Sequence, residues 1–176
     1  MKRFLLILLF LGFLNHVFAQ NSSESKTGLQ NLKPLVIVDG VKKSIEDLEM
    51  YQADSIATIT VYKDSIALKL YGNEGENGVL DIKTKAFVRS FLVSLFKKSS
   101  SAYDSLYTKN SGDHQFAYIS NGVPVTENYL GNLSEVDEDS LDKIEIISKE
   151  DLASTYSIAD KEFGILLFWT EPQKSK

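Results

Sequence analysis

The sequence predicts an α+β protein made of two tandem β-α-β-α-β modules with small mixed sheets, joined by an amphipathic helix and a linker. Three observations carry that prediction. Short β-branched runs end in turn dipeptides, and helix-capping residues stand between the runs. The whole pattern then returns 82 to 86 residues further along a chain of 176.

The chain opens with Lys2 and Arg3, an apolar run from Phe4 to Leu14, and Val17-Phe18-Ala19 before Gln20. This is the pattern of a cleavable signal peptide over 1–19, cut after Ala19. A transmembrane anchor needs roughly 20 apolar residues, and Asn15 and His16 interrupt this run first. Residues 20–33 are polar and read as a flexible leader.

The first module spans 34–85. Leu35 to Val38 is an apolar run ended by Asp39-Gly40, a buried strand entering a turn. Ser44-Ile45-Glu46-Asp47 has capping-box spacing and predicts a helix of about two turns over 44–52. Ile56 to Tyr62 (IATITVY) alternates Thr58 and Thr60 against Ile59 and Val61 and reads as a strand. Asp64 or Ser65 then caps a short helix over Ile66 to Tyr71, with Gly72 placed to end it. After the loop Gly72–Gly78, Val79 to Thr84 forms the closing strand.

Residues 86–115 hold the connection. Phe87, Val88, Phe91, Leu92, Leu95 and Phe96 recur at helical spacing. Such a stripe either packs on the sheets or offers a docking face. Ser99 to Asp113 reads as a polar linker.

The second module spans 116–171, before a tail at 172–176. Tyr118 to Val123 matches Ile37 to Val41 in character, and Asp139 to Ile146 matches Asp54 to Val61. Lys149 to Ala153 echoes Lys63 to Ala67, and Gly164 to Phe168 echoes Gly78 to Ile82.

The segments LKPLVIVDGV and DSIATITVYKDSIALKLYGNEGENGVLDIKTK carry a series of ordered motifs. They are Pro34-Leu35 with Asp39-Gly40; Ile59, Val61 and Lys63-Asp64; Ala67 with Tyr71-Gly72; Asn77-Gly78-Val79; and Ile82, Thr84 and Lys85. In order and spacing this resembles the plug domain of TonB-dependent outer-membrane receptors, across about a third of the mature chain. The second module keeps Asn121-Gly122-Val123-Pro124 and Gly164-Ile165 but lacks the Tyr-Gly pair after its helix, so it is a degenerate plug-like copy.

The resemblance implies a plug-like module without its barrel. A barrel of about 22 strands at roughly 9–11 residues each exceeds the chain, and residues 20–33 hold no clear apolar TonB-contact segment. The expected function is a periplasmic, non-enzymatic protein-interaction module. Its partner is an envelope protein, either a receptor or a TonB-like partner, or a second copy. The alternative is a soluble glycan- or peptide-binding protein of the cell envelope.

Composition narrows the field further. The net charge of −5 becomes −7 once Lys2 and Arg3 are removed, which disfavours nucleic acid. No cysteine is present, which excludes disulfides, thiolate metal sites and a lipidated N-terminal cysteine. No later run is long enough to span a bilayer, so no stable membrane insertion is expected.

No catalytic, cofactor or metal residues are assigned. The loop Gly72–Gly78 lacks a P-loop lysine and carries Glu74 and Glu76, so it reads as a turn. Glu135, Asp137, Glu138 and Asp139 lack calcium-loop spacing and read as a solvated loop. His114 is the only histidine after cleavage. Asp39 and Asn121 are explained by turn formation, and Trp169 is either a sugar-stacking residue or core.

Overall fold

The computed structural model describes residues 34–171. The expected signal peptide, leader and tail lie outside them. Two four-stranded mixed sheets and five helices make up the described chain, and no barrel forms among these residues. Two compact units divide it: 34–36 with Val61–Leu80, and Ile37–Thr60 with the residues from Asp81 onward.

The first sheet contains β1 (Leu35–Val38), β2 (Val41–Lys43), β3 (Ile56–Tyr62) and β4 (Val79–Thr84), in the order β2-β1-β4-β3. The second contains β5 (Phe116–Ser120), β6 (Val123–Val125), β7 (Leu141–Ile147) and β8 (Phe163–Trp169), in the order β6-β5-β8-β7. The two sheets thus have one topology. Strands β2 and β6 were not foreseen, because three residues are too few to show periodicity. They follow from Asp39-Gly40 and Asn121-Gly122, where both residues of each pair have positive φ, between 46° and 83°. Two such residues form a tight hairpin turn whose twist suits antiparallel strands.

Three further expectations are corrected. The helix over 44–52 is instead a 3-10 turn at Glu46–Met50, followed by a second at Ala53–Ser55. The capping pair does form: the Ser44 amide donates to Asp47 Oδ2 at 2.9 Å and the Asp47 amide to Ser44 Oγ at 3.2 Å. The turn buries no residue, so no apolar face holds it as a longer α-helix.

The linker at 99–113 contains a helix. Helix α1 is Asp64–Tyr71, α2 is Lys85–Ser99, and α3 is Ser101–Lys109. Ser100 is extended, ends α2, and accepts the Tyr103 amide at 3.2 Å, so one hydroxyl residue divides two helices. Tyr103, Leu106 and Tyr107 give α3 its apolar face, which polar neighbours mask in the sequence.

The pairing of Gly164 with Gly78 shifts by one residue. The Asp39 amide donates to Ile82 O and the Asn121 amide to Leu167 O, at 2.9 and 2.8 Å. Ile82 therefore corresponds to Leu167, and Gly164 to Val79. Short apolar strands look alike when slipped by one position, although the slip reverses their faces.

In the first unit, Gly75 lies against Ala67 so closely that an added Cβ would sit 2.5 Å from the Ala67 carbonyl oxygen. The Tyr62 and Tyr71 rings are 6.1 Å apart. In the second unit, Val88, Leu92, Leu95 and Phe96 of α2 enter a core with Tyr103, Phe116, Tyr118, Ile165, Leu167 and Trp169. That is the packing role of the apolar stripe. Phe87 and Phe91, by contrast, remain exposed. A short helix α4 (Tyr129–Asn132) adds Leu130 to this core, and α5 (Lys149–Tyr156) adjoins β8.

Helix α5 ends in Tyr156-Ser157, with Ser157 left-handed at φ 59°. Helix α1 ends in Tyr71-Gly72, with Gly72 at φ 61°. The second module therefore keeps the tyrosine, and serine occupies the place where glycine is less strained.

Candidate functional site

An unpaired sheet edge exposes backbone donors and acceptors, so sheet edges are where a module of this size meets a partner or must be protected from one. The two sheets have four edges. Strand β2 is three residues long and carries Lys42 and Lys43; β6 is three residues long and carries Pro124. Strand β7 carries Asp142, Lys143 and Glu145, with Lys143 and Glu145 paired at 2.5 Å. Strand β3 is seven residues long and has neither charge nor proline.

The faces of β3 also differ from those of β7. Ile144 and Ile146 of β7 pack against the core of the second unit. Their counterparts on β3, Ile59 and Val61, are 56% and 55% exposed. Thr58 and Thr60, on the opposite face, are half-buried. The alternation in IATITVY gives the strand its two faces but not which of them is covered.

Local hydrogen bonds bound the open part of β3. The Asn128 side-chain Nδ2 donates to Ala57 O at 3.1 Å. Helix α4 approaches so closely there that a Cβ on Gly131 would lie 2.6 Å from the same oxygen. At the other end Lys63 O accepts the Ile66 and Ala67 amides at 3.2 and 3.3 Å, opening α1. Backbone groups along a strand point alternately to its two sides. Asn128 on Ala57 O marks the outer side, so Ile59 and Val61 direct both their N–H and C=O groups outward.

Asp39 and Asn121 are clamps rather than ligand groups. Asp39 accepts the Thr84 amide (2.7 Å) and the Thr84 hydroxyl (2.8 Å). Thr84 Oγ1 in turn accepts the Phe87 amide and caps α2. Asn121 donates to Trp169 O (2.9 Å) and accepts the Trp169 amide (3.0 Å). The residue types follow from the partners. Thr84 offers two donors and suits a carboxylate, whereas Trp169 offers one donor and one acceptor and suits an amide.

Trp169 is 7% exposed and its indole donates to Ser120 Oγ at 2.8 Å, so it is core and has no free face for a sugar. Asp137 and Ser140 close a local turn, with Ser140 hydrogen bonds holding the Asp137 carboxyl below its ordinary range. Glu138 meets Lys98 at 2.8 Å. Glu135 lines a cavity of about 650 Å3 with Glu127, Glu171 and the rim of Trp169. The loop after α1 is a 3-10 turn, Gly72–Gly75.

One polar cluster has no sequence signal, because its members lie far apart along the chain. Asp113 accepts from Arg89 (2.8 Å), Tyr129 (2.9 Å) and Tyr118 (3.3 Å), and the Tyr118 hydroxyl lies 3.1 Å from that of Tyr103. The Tyr118 and Tyr129 rings stack at 5.1 Å. Burial pushes the Tyr103, Tyr118 and Tyr129 phenols well above the usual tyrosine range, and the nearby Asp113 charge adds to it. An adjacent cavity of about 460 Å3 is lined by Arg89, Asp113, Tyr118 and Tyr129 with His114 and Lys161. Lys161 Nζ donates to the His114 carbonyl at 3.0 Å. Both oxygens of the Asp113 carboxylate accept hydrogen bonds, which makes the cluster a brace joining α2, α4 and β5.

The chain matches no protein-family model, and neither curated proteins nor solved structures give a significant match.

Proposed function

We propose that this protein is a non-enzymatic protein-interaction module of the cell envelope, exported to the periplasm and resembling a receptor plug without its barrel. One observation carries the reading: of the four sheet edges among the described residues, only β3 is long, uncharged and free of proline, and it exposes Ile59 and Val61. Partner strands add to such an edge through main-chain hydrogen bonds, and side-chain contacts set specificity. The partner class is an envelope protein, a receptor or TonB-like component, or another copy of the chain.

Capture from envelope extract under mild crosslinking tests it. The unmodified protein is expected to enrich a partner that Ile59→Lys with Val61→Lys loses and an exposed change on the β7 edge, Asp142→Lys, keeps. Equal capture by the β3 variant contradicts the reading.

The second reading, a glycan- or peptide-binding protein, draws support from the cavity beside Tyr118 and Tyr129. The burial of Trp169 removes the aromatic that favoured it most.

A further inference from the structure

We propose that the occupant of the β3 edge is a second copy of this chain, paired antiparallel about Thr60 so that Ile59 of each copy lies opposite Val61 of the other. The inference rests on the reading of β3 as the docking edge and names its partner.

The open window fixes the register. Ala57 O is already held by Asn128, and Lys63 O by the first turn of α1. Among the described residues of β3, Ile59 and Val61 alone keep both backbone groups available on the outer side. Two outward residues separated by one inward residue complement themselves in a single antiparallel register. In it Ile59 and Val61 of the two copies form two hydrogen-bonded pairs, four bonds in all, with Thr60 facing Thr60 as the non-hydrogen-bonded pair at the two-fold axis. Centring on Ile59 instead sets Val61 against the occupied carbonyl of Ala57. Centring on Val61 sets Ile59 against the occupied carbonyl of Lys63. A longer foreign strand meets both blocked ends and gains no further bonds to those two carbonyls, whereas a second copy presents a window of the same length.

Charge agrees with this. The strand carries none, so two identical edges meet without like charges facing each other. Elsewhere both copies bear the same net negative charge, −5 for the full sequence and more negative once Lys2 and Arg3 are removed, and their mutual repulsion is screened by salt. The dimer therefore strengthens as ionic strength rises. Two residues a side fall far short of the roughly 20–30 of a standard interface. The dimer is accordingly weak, with a dissociation constant on the order of 0.1–1 mM.

The test combines sedimentation with crosslinking on the purified protein. The weight-average mass of the unmodified protein is expected to rise with concentration, more so at 0.5 M than at about 0.05 M salt. Val61→Lys should raise the dissociation constant at least tenfold. The chain has no cysteine, so Thr60→Cys reports the register alone. Non-hydrogen-bonded partners lie about 4.5 Å apart at Cα, within disulfide range. Thr58→Cys partners lie roughly 13 Å apart, out of range.

An intermolecular disulfide for Thr60→Cys and none for Thr58→Cys supports the proposal. A monomer at 1 mM without a Thr60→Cys crosslink overturns it. If envelope capture still depends on Ile59 and Val61 in that case, strand addition stands and only the second copy is wrong. If capture is also unchanged, both readings fall.

Discussion

Replacing Asn121 by Asp tests how the second sheet is closed, because the change removes one donor while keeping size and shape. Asn121 bridges the end of β5 to Trp169 through Nδ2–H to the carbonyl and Oδ1 from the amide, at 2.9 and 3.0 Å. In Asn121→Asp the second bond survives and is strengthened by charge. The first is lost, and a carboxylate oxygen faces the Trp169 carbonyl. The lost bond is worth about 1 kcal/mol, and leaving that part-buried carbonyl opposed adds roughly 1–3 kcal/mol. A net loss of about 2 kcal/mol is expected in urea unfolding at pH 7.

The sign with pH is the sharper test. The opposed carbonyl raises the folded pKa of the new carboxyl above its unfolded value near 3.9. The destabilisation therefore shrinks as pH falls through the folded pKa, where the protonated oxygen donates to Trp169 O. A loss under 0.5 kcal/mol at pH 7, or one unchanged at pH 3.5, refutes the clamp geometry.

Ser157→Gly should stabilise the protein by about 0.5–1 kcal/mol in thermal or urea unfolding, because Ser157 holds φ 59° where Gly72 stands in the first module; a destabilised variant contradicts the correspondence. Ultraviolet difference titration should show three of the eight tyrosines silent through pH 10–11 and ionising only on unfolding. Their raised folded pKa values keep stability intact below the unfolded pKa near 10. Above it stability is lost at up to about 1.4 kcal/mol per pH unit for each tyrosine, so ionisation of all eight in the native state would be the contrary result. Asp113→Ala strips Arg89, Tyr118 and Tyr129 of a shared acceptor. Tyr118 keeps Tyr103 and the part-exposed Arg89 gains water, so a cost of roughly 2–3 kcal/mol is expected in denaturant melts, against near zero if the brace does not form.

Much of the fold was legible because local chemistry and periodicity agree in the strands. The β-branched runs, Asp39-Gly40, Asn121-Gly122 and the stripe on α2 each point one way, and the protein has the two matching mixed sheets they imply. Signals failed where tertiary contacts decide. The Ser44–Asp47 pair forms but lacks an apolar face to extend it. Ser100 hides a helix boundary inside a serine run, and α3 is held by Tyr103, whose burial depends on distant Phe96 and Phe116. The Asp113 brace joins residues 16 and 24 positions away, which no spacing rule finds. The β3 edge is a mixed case. Its lack of charge is visible in IATITVY, but its exposure is not, because that depends on what covers Ile59 and Val61.

If β3 keeps an open, competent edge, amide hydrogen exchange at Ile59 and Val61 reads that edge out residue by residue. In dilute protein these two amides should exchange at nearly unprotected rates, while those of Thr58 and Thr60, which face β4, are protected. At high protein concentration, or with an envelope partner bound, Ile59 and Val61 should become protected while the β7 edge does not change. Amides at Ile59 and Val61 already as slow as their neighbours in dilute protein, or unchanged on association, would contradict the account.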